Sequence, residues 1–184
     1  GGGLAPTGGY IAGREDLINR IAQRMTVPGM GAEVGSYAGD YRLFYQGLFL
    51  APHVTAQCVK GAVLFARVFE QMNLLTMPQY DANRSDIIQA VQFPDADSLV
   101  AFCRSIQKAA PVDSFVSPEP WDMPGYEDQV VMAAGAFVQG ATTELSADGP
   151  IRAPYTAYLQ GALTYAHARI ACMFACDELI RQGL

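Results

Sequence analysis

Residues 54–72 read VTAQCVKGAVLFARVFEQM, and this stretch decides the fold. Its apolar side chains fall on most sides of the helix that it predicts. A helix of that kind is buried or lies between two masses. The helical pattern extends back to Tyr41, with a break or bend expected at Pro52. Proline has no N–H to give the preceding turn, and its ring crowds that turn. The rest of the chain must therefore be organised around a long central helix spanning Tyr41 to Met72.

Downstream of it the pattern alternates. Ile87 to Phe93 reads as a strand. Asp95 to Lys108 reads as an amphipathic helix with Leu99, Val100, Phe102, Cys103 and Ile106 inward. Val112 to Val116 reads as a short strand, followed by the proline-rich loop SPEPWDMPGYED (117–128). Val130 to Val138 and Thr142 to Leu145 read as paired strands, Tyr155 to Leu163 as another, and Thr164 to Arg181 as a closing helix. The expected class is α+β, a mostly antiparallel sheet with helices on one face. Upstream, Arg14 to Met25 carries Leu17, Ile18, Ile21, Ala22 and Met25 at helical spacing, and Pro28-Gly29 stops that helix. Gly-rich runs occupy 1–13 and 29–39. Gly1-Gly2-Gly3 without a methionine reads as a cloning scar or a cut inside a longer chain.

The chain has 184 residues, 51% of them hydrophobic, enough to bury a core. Only 16% are charged, against about 25% in an ordinary soluble domain. That deficit implies a surface partly covered by further polypeptide or a second subunit. The net charge of −6 and the absence of a basic block exclude nucleic acid as an expected partner. No uninterrupted apolar run reaches the roughly 18–20 residues of a membrane span, and the first residues carry no signal-peptide pattern. Cys58, Cys103, Cys172 and Cys176 form no CxxC, and no histidine stands at zinc-ligand spacing. Cys172 and Cys176 share a helix face. Reduced, buried thiols and a cytoplasmic location are expected, and no metal site.

GLAPTGGY (3–10) has the frame of a nucleotide P-loop but places Gly9 and Tyr10 where Lys and Ser/Thr are required. The cation for the phosphates and the hydroxyl for Mg²⁺ are both absent. Such glycines serve close backbone approach and positive φ instead.

GGGLAPTGGYIAG (1–13), YQGLFLAPH (45–53), PVDSFVSPEPWDMPGYED (111–128), ELSADGPIR (144–152) and YLQGALTYAHA (158–168) together resemble the aluminium-resistance, methionine gamma-lyase-like (cystathionine beta-lyase-like) proteins. The resemblance runs essentially end to end. It implies the C-terminal part of a fold type I, aspartate-aminotransferase-like enzyme dependent on pyridoxal 5'-phosphate (PLP). Residues 1–40 would then be the tail of the large cofactor domain, 41–73 the linking helix and 74–184 the small C-terminal domain. The Schiff-base lysine is expected upstream of Gly1. Lys60 and Lys108, the two lysines present, lie in helices away from the Gly-rich run.

By the same resemblance, Gly1, Gly2, Gly3, Tyr10 and Tyr45 are the cofactor-side candidates. An amino-acid substrate needs its carboxylate clamped, and arginine does this through a bidentate pair. Arg152 is the first choice, with an ion pair to Asp148 or Glu144 as its structural alternative, and Arg42 the second. Ser146, Trp121 and Tyr126 complete the substrate-side candidates. Trp121, held between prolines, lines the entrance or plugs the domain edge. His53 and His167 read as structural. The implied activity is carbon–sulfur lysis of a sulfur amino acid of the methionine or cystathionine type. The implied partners are the missing N-terminal portion and a homodimer or homotetramer. The alternative reading is a structural or dimerisation fragment without bound PLP. A third is a small-molecule binding protein without catalysis.

Overall fold

The computed structural model describes residues 3–7, 9–25, 27–33, 35, 37–135, 137 and 143–184. Among these the helices are α1 (Glu15–Met25), α2 (Arg42–Gln71), α3 (Ala96–Lys108) and α4 (Tyr165–Arg181). The strands are β1 (Leu75–Met77), β2 (Ile88–Gln92), β3 (Val130–Ala133), β4 (Ser146–Pro150) and β5 (Thr156–Gln160). They form one sheet in the order β1-β2-β5-β4-β3, and every pairing is antiparallel.

Register sorts the side chains between two faces, because successive residues of a strand point to opposite sides. Gln89, Val91, Ala157, Leu159, Ala147, Gly149, Val131 and Ala133 are buried on one face, against α2 and α3. α4 packs on those two helices in turn. Phe65 and Phe69 of α2, Phe93, and Phe102 of α3 meet ring to ring at the centre. The His167 Nε2–H donates to the Ala109 carbonyl at 2.8 Å, tying α4 to the end of α3.

α2 runs unbroken through Pro52, so of the expected break or bend the break does not occur. Its second half is anchored by the buried Cys58, Gly61, Ala62, Phe65, Ala66 and Phe69. That burial offsets the one backbone bond a proline removes. An 18-residue window of α2 has a mean hydropathy of 1.3, so the helix is long and apolar enough to cross a membrane by length and composition alone. The average and the uninterrupted run differ because Pro52, His53, Gln57 and Lys60 interrupt the apolar stretch without lowering its mean far. Leu43, Tyr45, Leu48 and Phe49 in the first half of α2 are exposed, as are Leu17, Ile21 and Met25 of α1.

The strands differ from their expected bounds. β1 is additional. Val112–Val116 is a turn, closed by the Val116 N–H donating to Asp113 O at 3.0 Å, with Asp113 at φ 56°. β3 ends at Ala133, and its partner is Ser146–Pro150 rather than Thr142–Leu145. Residues 138–142 lie outside the described residues.

α3 begins on a side-chain cap: Asp95 Oδ1 accepts the Ser98 N–H at 2.8 Å. That bond holds the Asp95 carboxyl below its ordinary value. Removing such a cap costs about 1 kcal/mol, so Asp95→Ala is expected to lose about that much at pH 7 in urea denaturation. A carboxyl depressed by folding stabilises above its unfolded value and loses that contribution as pH falls through the folded one. The gap between Asp95→Ala and the parent is therefore expected to be whole at neutral pH and to close under acid conditions.

Candidate functional site

The face of the sheet away from the helices is open. A row of side chains crosses all five strands there: Met77 beside Ala90, Ala90 beside Tyr158, Tyr158 beside Asp148, and Asp148 beside Met132. Over the β3–β4–β5 side of this row lies a cavity of about 600 Å3, lined among others by Tyr126, Asp128, Met132, Asp148, Arg152 and Tyr158.

Local structure explains why these groups converge. β4 and β5 are joined by a tight connection in which the Arg152 N–H donates to Pro150 O at 2.9 Å and the Tyr155 N–H donates to Arg152 O at 2.7 Å. This fixes the Arg152 backbone at the end of the hairpin. Tyr126 and Asp128 arrive on the loop before β3, which turns at Gly125 with φ 89°. The Arg152 guanidinium pairs with Asp128, Nη1 to Oδ2 at 3.3 Å, where the sequence had offered Asp148 or Glu144. Arg152 remains largely exposed, so an anion entering the cavity has access to its other N–H groups. An arginine fork presents five N–H donors in one plane, and a single carboxylate partner does not use them all.

Asp148 is the unexpected member. It is half-buried between Tyr158 and Met132; among the described residues its carboxylate has no hydrogen-bond or ion-pair partner, and burial raises it above the ordinary range. A perturbed carboxyl in a cleft marks a functional candidate. The sign follows from the shift. A raised folded value means that the folded state disfavours the carboxylate. The penalty is full above the folded value and disappears as pH falls below the unfolded one. Asp148→Asn is therefore expected to raise the melting temperature at pH 7, with the gain vanishing in acid. A lower melting temperature at pH 7 would reveal a stabilising partner for this carboxylate.

Of the substrate-side candidates, Arg152 and Tyr126 meet in the cavity. Ser146 is buried on β4 opposite Gln160, two residues from Asp148 on the same face. Trp121 pairs backbone to backbone with Val130 and so lies along the β3 edge. Arg42 pairs with Asp40 at 3.5 Å at the start of α2 and is exposed. Tyr10 and Tyr45 are 92% and 72% exposed. Gly3 has φ 78°, while Gly1 and Gly2 lie outside the described residues. Asp128, Asp148 and Tyr158 were missed as site residues. The available signal was the period of two in SADGP (146–150) and TAYLQ (156–160), which puts Asp148 and Tyr158 on opposable faces.

The described cofactor-side candidates Gly3, Tyr10 and Tyr45 do not line this cavity. Lys60 is exposed on α2, and Lys108 Nζ lies 5.3 Å from the centre of the Phe174 ring. Both helices pack on the face of the sheet opposite the cavity, so neither amine reaches it. Among the described residues no group of three His, Cys, Asp or Glu is placed to hold a metal ion.

The profile of the family described as methionine gamma-lyase matches residues 1–180. The chain belongs to the methionine gamma-lyase family. It is 52% identical over its whole length to the protein YnbB of Bacillus subtilis and spans 44% of that protein. Among solved structures of this family's relatives, the carbon-sulfur lyase involved in aluminum resistance from Clostridium novyi is 55% identical. It superposes with a TM-score of 0.89 over 97% of this chain and 41% of its own. A Bacillus cereus protein is 53% identical, with a TM-score of 0.92 over 97% of this chain and 44% of its own. The α+β architecture is thus that of the corresponding part of these family members, and the chain spans less than half of their length.

Proposed function

We propose that this chain is the substrate-clamping segment of a PLP-dependent carbon–sulfur lyase of fold type I that acts on a sulfur amino acid of the methionine or cystathionine type. The observation that carries the reading is the partly satisfied Arg152 guanidinium in a cavity with Tyr126 and Tyr158. A carboxylate entering there exchanges water for a charge-assisted pair with Arg152. Asp128 holds the guanidinium in place without using up its donors. The tyrosine rings and Met132 supply apolar surface that suits a thioether. The lysine and phosphate cup that PLP needs would come from family length beyond these residues. The exposed apolar residues of α1 and early α2 support burial against that length or a second copy. PLP, when bound, withdraws electrons from the substrate's α-carbon; this chain's part is to hold the carboxylate.

The test uses a polypeptide carrying these residues at the family's full length. Losing a hydrogen bond to a charged group costs about 1.5–3 kcal/mol, which is roughly a 10- to 100-fold change. Arg152→Ala is expected to lower kcat/KM for cystathionine by that factor while the visible absorbance of bound PLP stays intact. An unchanged kcat/KM removes Arg152 from the clamp. Full-length protein that never takes up PLP defeats the lyase reading itself.

A further inference from the structure

α4 carries two thiols one helical turn apart, and neither the core hydrogen bonds nor the cavity uses them. The Cys58 Sγ is directed at the carbonyls of Thr143 and Ala162, and Cys103 is wholly buried. Cys172 is 4% exposed, while Cys176 is only partly buried and open to solvent on one side. The two side chains share one face of α4, a single turn apart.

This spacing selects what can join them. Side chains four apart on a helix have their Cβ atoms about 5–6 Å apart, whereas a disulfide needs about 3.5–4.5 Å. Ala168, Ala171, Ala175 and Leu179 are buried on the same helix, so α4 is packed in place and does not unwind cheaply. A direct S–S bond is therefore disfavoured. A bridge of one larger atom, with two bonds of roughly 2.3 Å to sulfur as in zinc thiolates, spans the wider gap. Among the described residues no third ligand completes a metal cluster, which argues against a tetrahedral zinc site. Soft centres prefer thiolates to other protein ligands.

We propose that Cys172 and Cys176 form a two-thiolate site for a soft, thiophilic centre, with trivalent arsenic as the representative ligand. Cys176 enters first. The neighbouring Cys172 thiol holds it below the ordinary range, and the thiolate is the nucleophile. Cys172, pushed up by its Cys176 neighbour and by burial, closes the bridge second. With phenylarsine oxide the balance is simple. Two S–H bonds and the As=O bond break, two As–S bonds form, and the two protons leave with the oxygen as water. Arsenic stays trivalent, so no oxidant or reductant is needed. The site stands independently of the lyase reading.

The experiment adds stoichiometric phenylarsine oxide to the native chain and reads intact mass and thiol titre. The expected result is a single adduct of the reagent less one water, with two of the four thiols protected and mapped to the α4 peptide. The adduct should resist excess 2-mercaptoethanol and be released by 2,3-dimercaptopropanol. In Cys176→Ser, bidentate capture is lost. Because linking two weak contacts typically gains about 10²–10⁴-fold, apparent affinity should fall by at least about 100-fold and the residual adduct should wash off with the monothiol. Circular dichroism of that variant, whose replaced side chain is partly exposed, reports whether α4 is retained. Should it fail to fold, mapping on the parent chain decides alone. No adduct, protection of Cys58 or Cys103 instead, or a monothiol-resistant adduct in Cys176→Ser overturns the proposal.

Discussion

Truncating Phe102 to alanine is expected to cost about 3–5 kcal/mol, the usual range for a buried phenylalanine. The side chain is 0% exposed. Its ring lies 5.1 Å from that of Phe93, 5.5 Å from Phe69 and 6.2 Å from Phe65, centre to centre. The Phe65 and Phe69 contacts are edge-on, an arrangement that adds to plain burial. These four rings join α2, α3 and the end of β2, so the void left by Phe102 opens onto three elements at once. No single neighbour can collapse into it. Domain stabilities are typically about 5–15 kcal/mol, so the variant retains little margin at 37 °C. Urea denaturation should show a large fall in midpoint with little change in slope. Phe115→Ala is the control: Phe115 is 87% exposed, and its loss should stay within about 0.5 kcal/mol. A Phe102→Ala loss below about 1 kcal/mol would mean that the four rings do not share one dry core.

The helical half of this architecture was legible because a period of 3.6 survives local detail. Leu99, Phe102, Cys103 and Ile106 were expected inward and are buried. Val100 was expected with them but is only half-buried, because it faces the groove between α3 and α4. The sheet was less legible. SADGP has no β-branched or aromatic residue, and Asp, Gly and Pro are poor strand formers. Its extended conformation is imposed by β3 on one side and β5 on the other. β1, LTM, is too short to show a pattern of its own. The candidate site divides along the same line. Arg152 and Tyr126 stood out as residues of recognisable motifs. Asp148 beside Tyr158 and Met132 is a matter of register across the β4–β5 hairpin and the β3–β4 pairing: the period of two gives each strand its faces but not which residues stand opposite.

Gly149→Val is expected to prevent the chain from folding, and Gly149→Ala to lower the melting temperature by at least about 6 °C. A Cβ at Gly149 would sit 2.6 Å from the Thr156 carbonyl oxygen, 2.9 Å from Leu99 Cδ1 and 3.3 Å from Ala157 Cα. Leu99 can turn aside at some cost. The other two atoms are backbone of β5, and β5 pairs with both β2 and β4. Relief therefore requires β4 to move off β5, which weakens ladder bonds beside the clash. Overpacking of a tight interior costs about 1–3 kcal/mol and occasionally more, and the backbone contacts place Gly149→Ala at the upper end. For a chain of this length about 3 kcal/mol corresponds to roughly 6–12 °C. Valine adds two methyl groups to a space that does not hold one. Gly149 also lies between Asp148, on the open face, and the hairpin that carries Arg152. Any shift of β4 that makes room for a side chain moves both. In the full-length context, Gly149→Ala should therefore raise KM more than it lowers kcat if the proposed Arg152 clamp operates, because Arg152 is displaced while the reacting groups are not. A melting temperature unchanged by alanine would show that β4 and β5 do not approach this closely at Gly149.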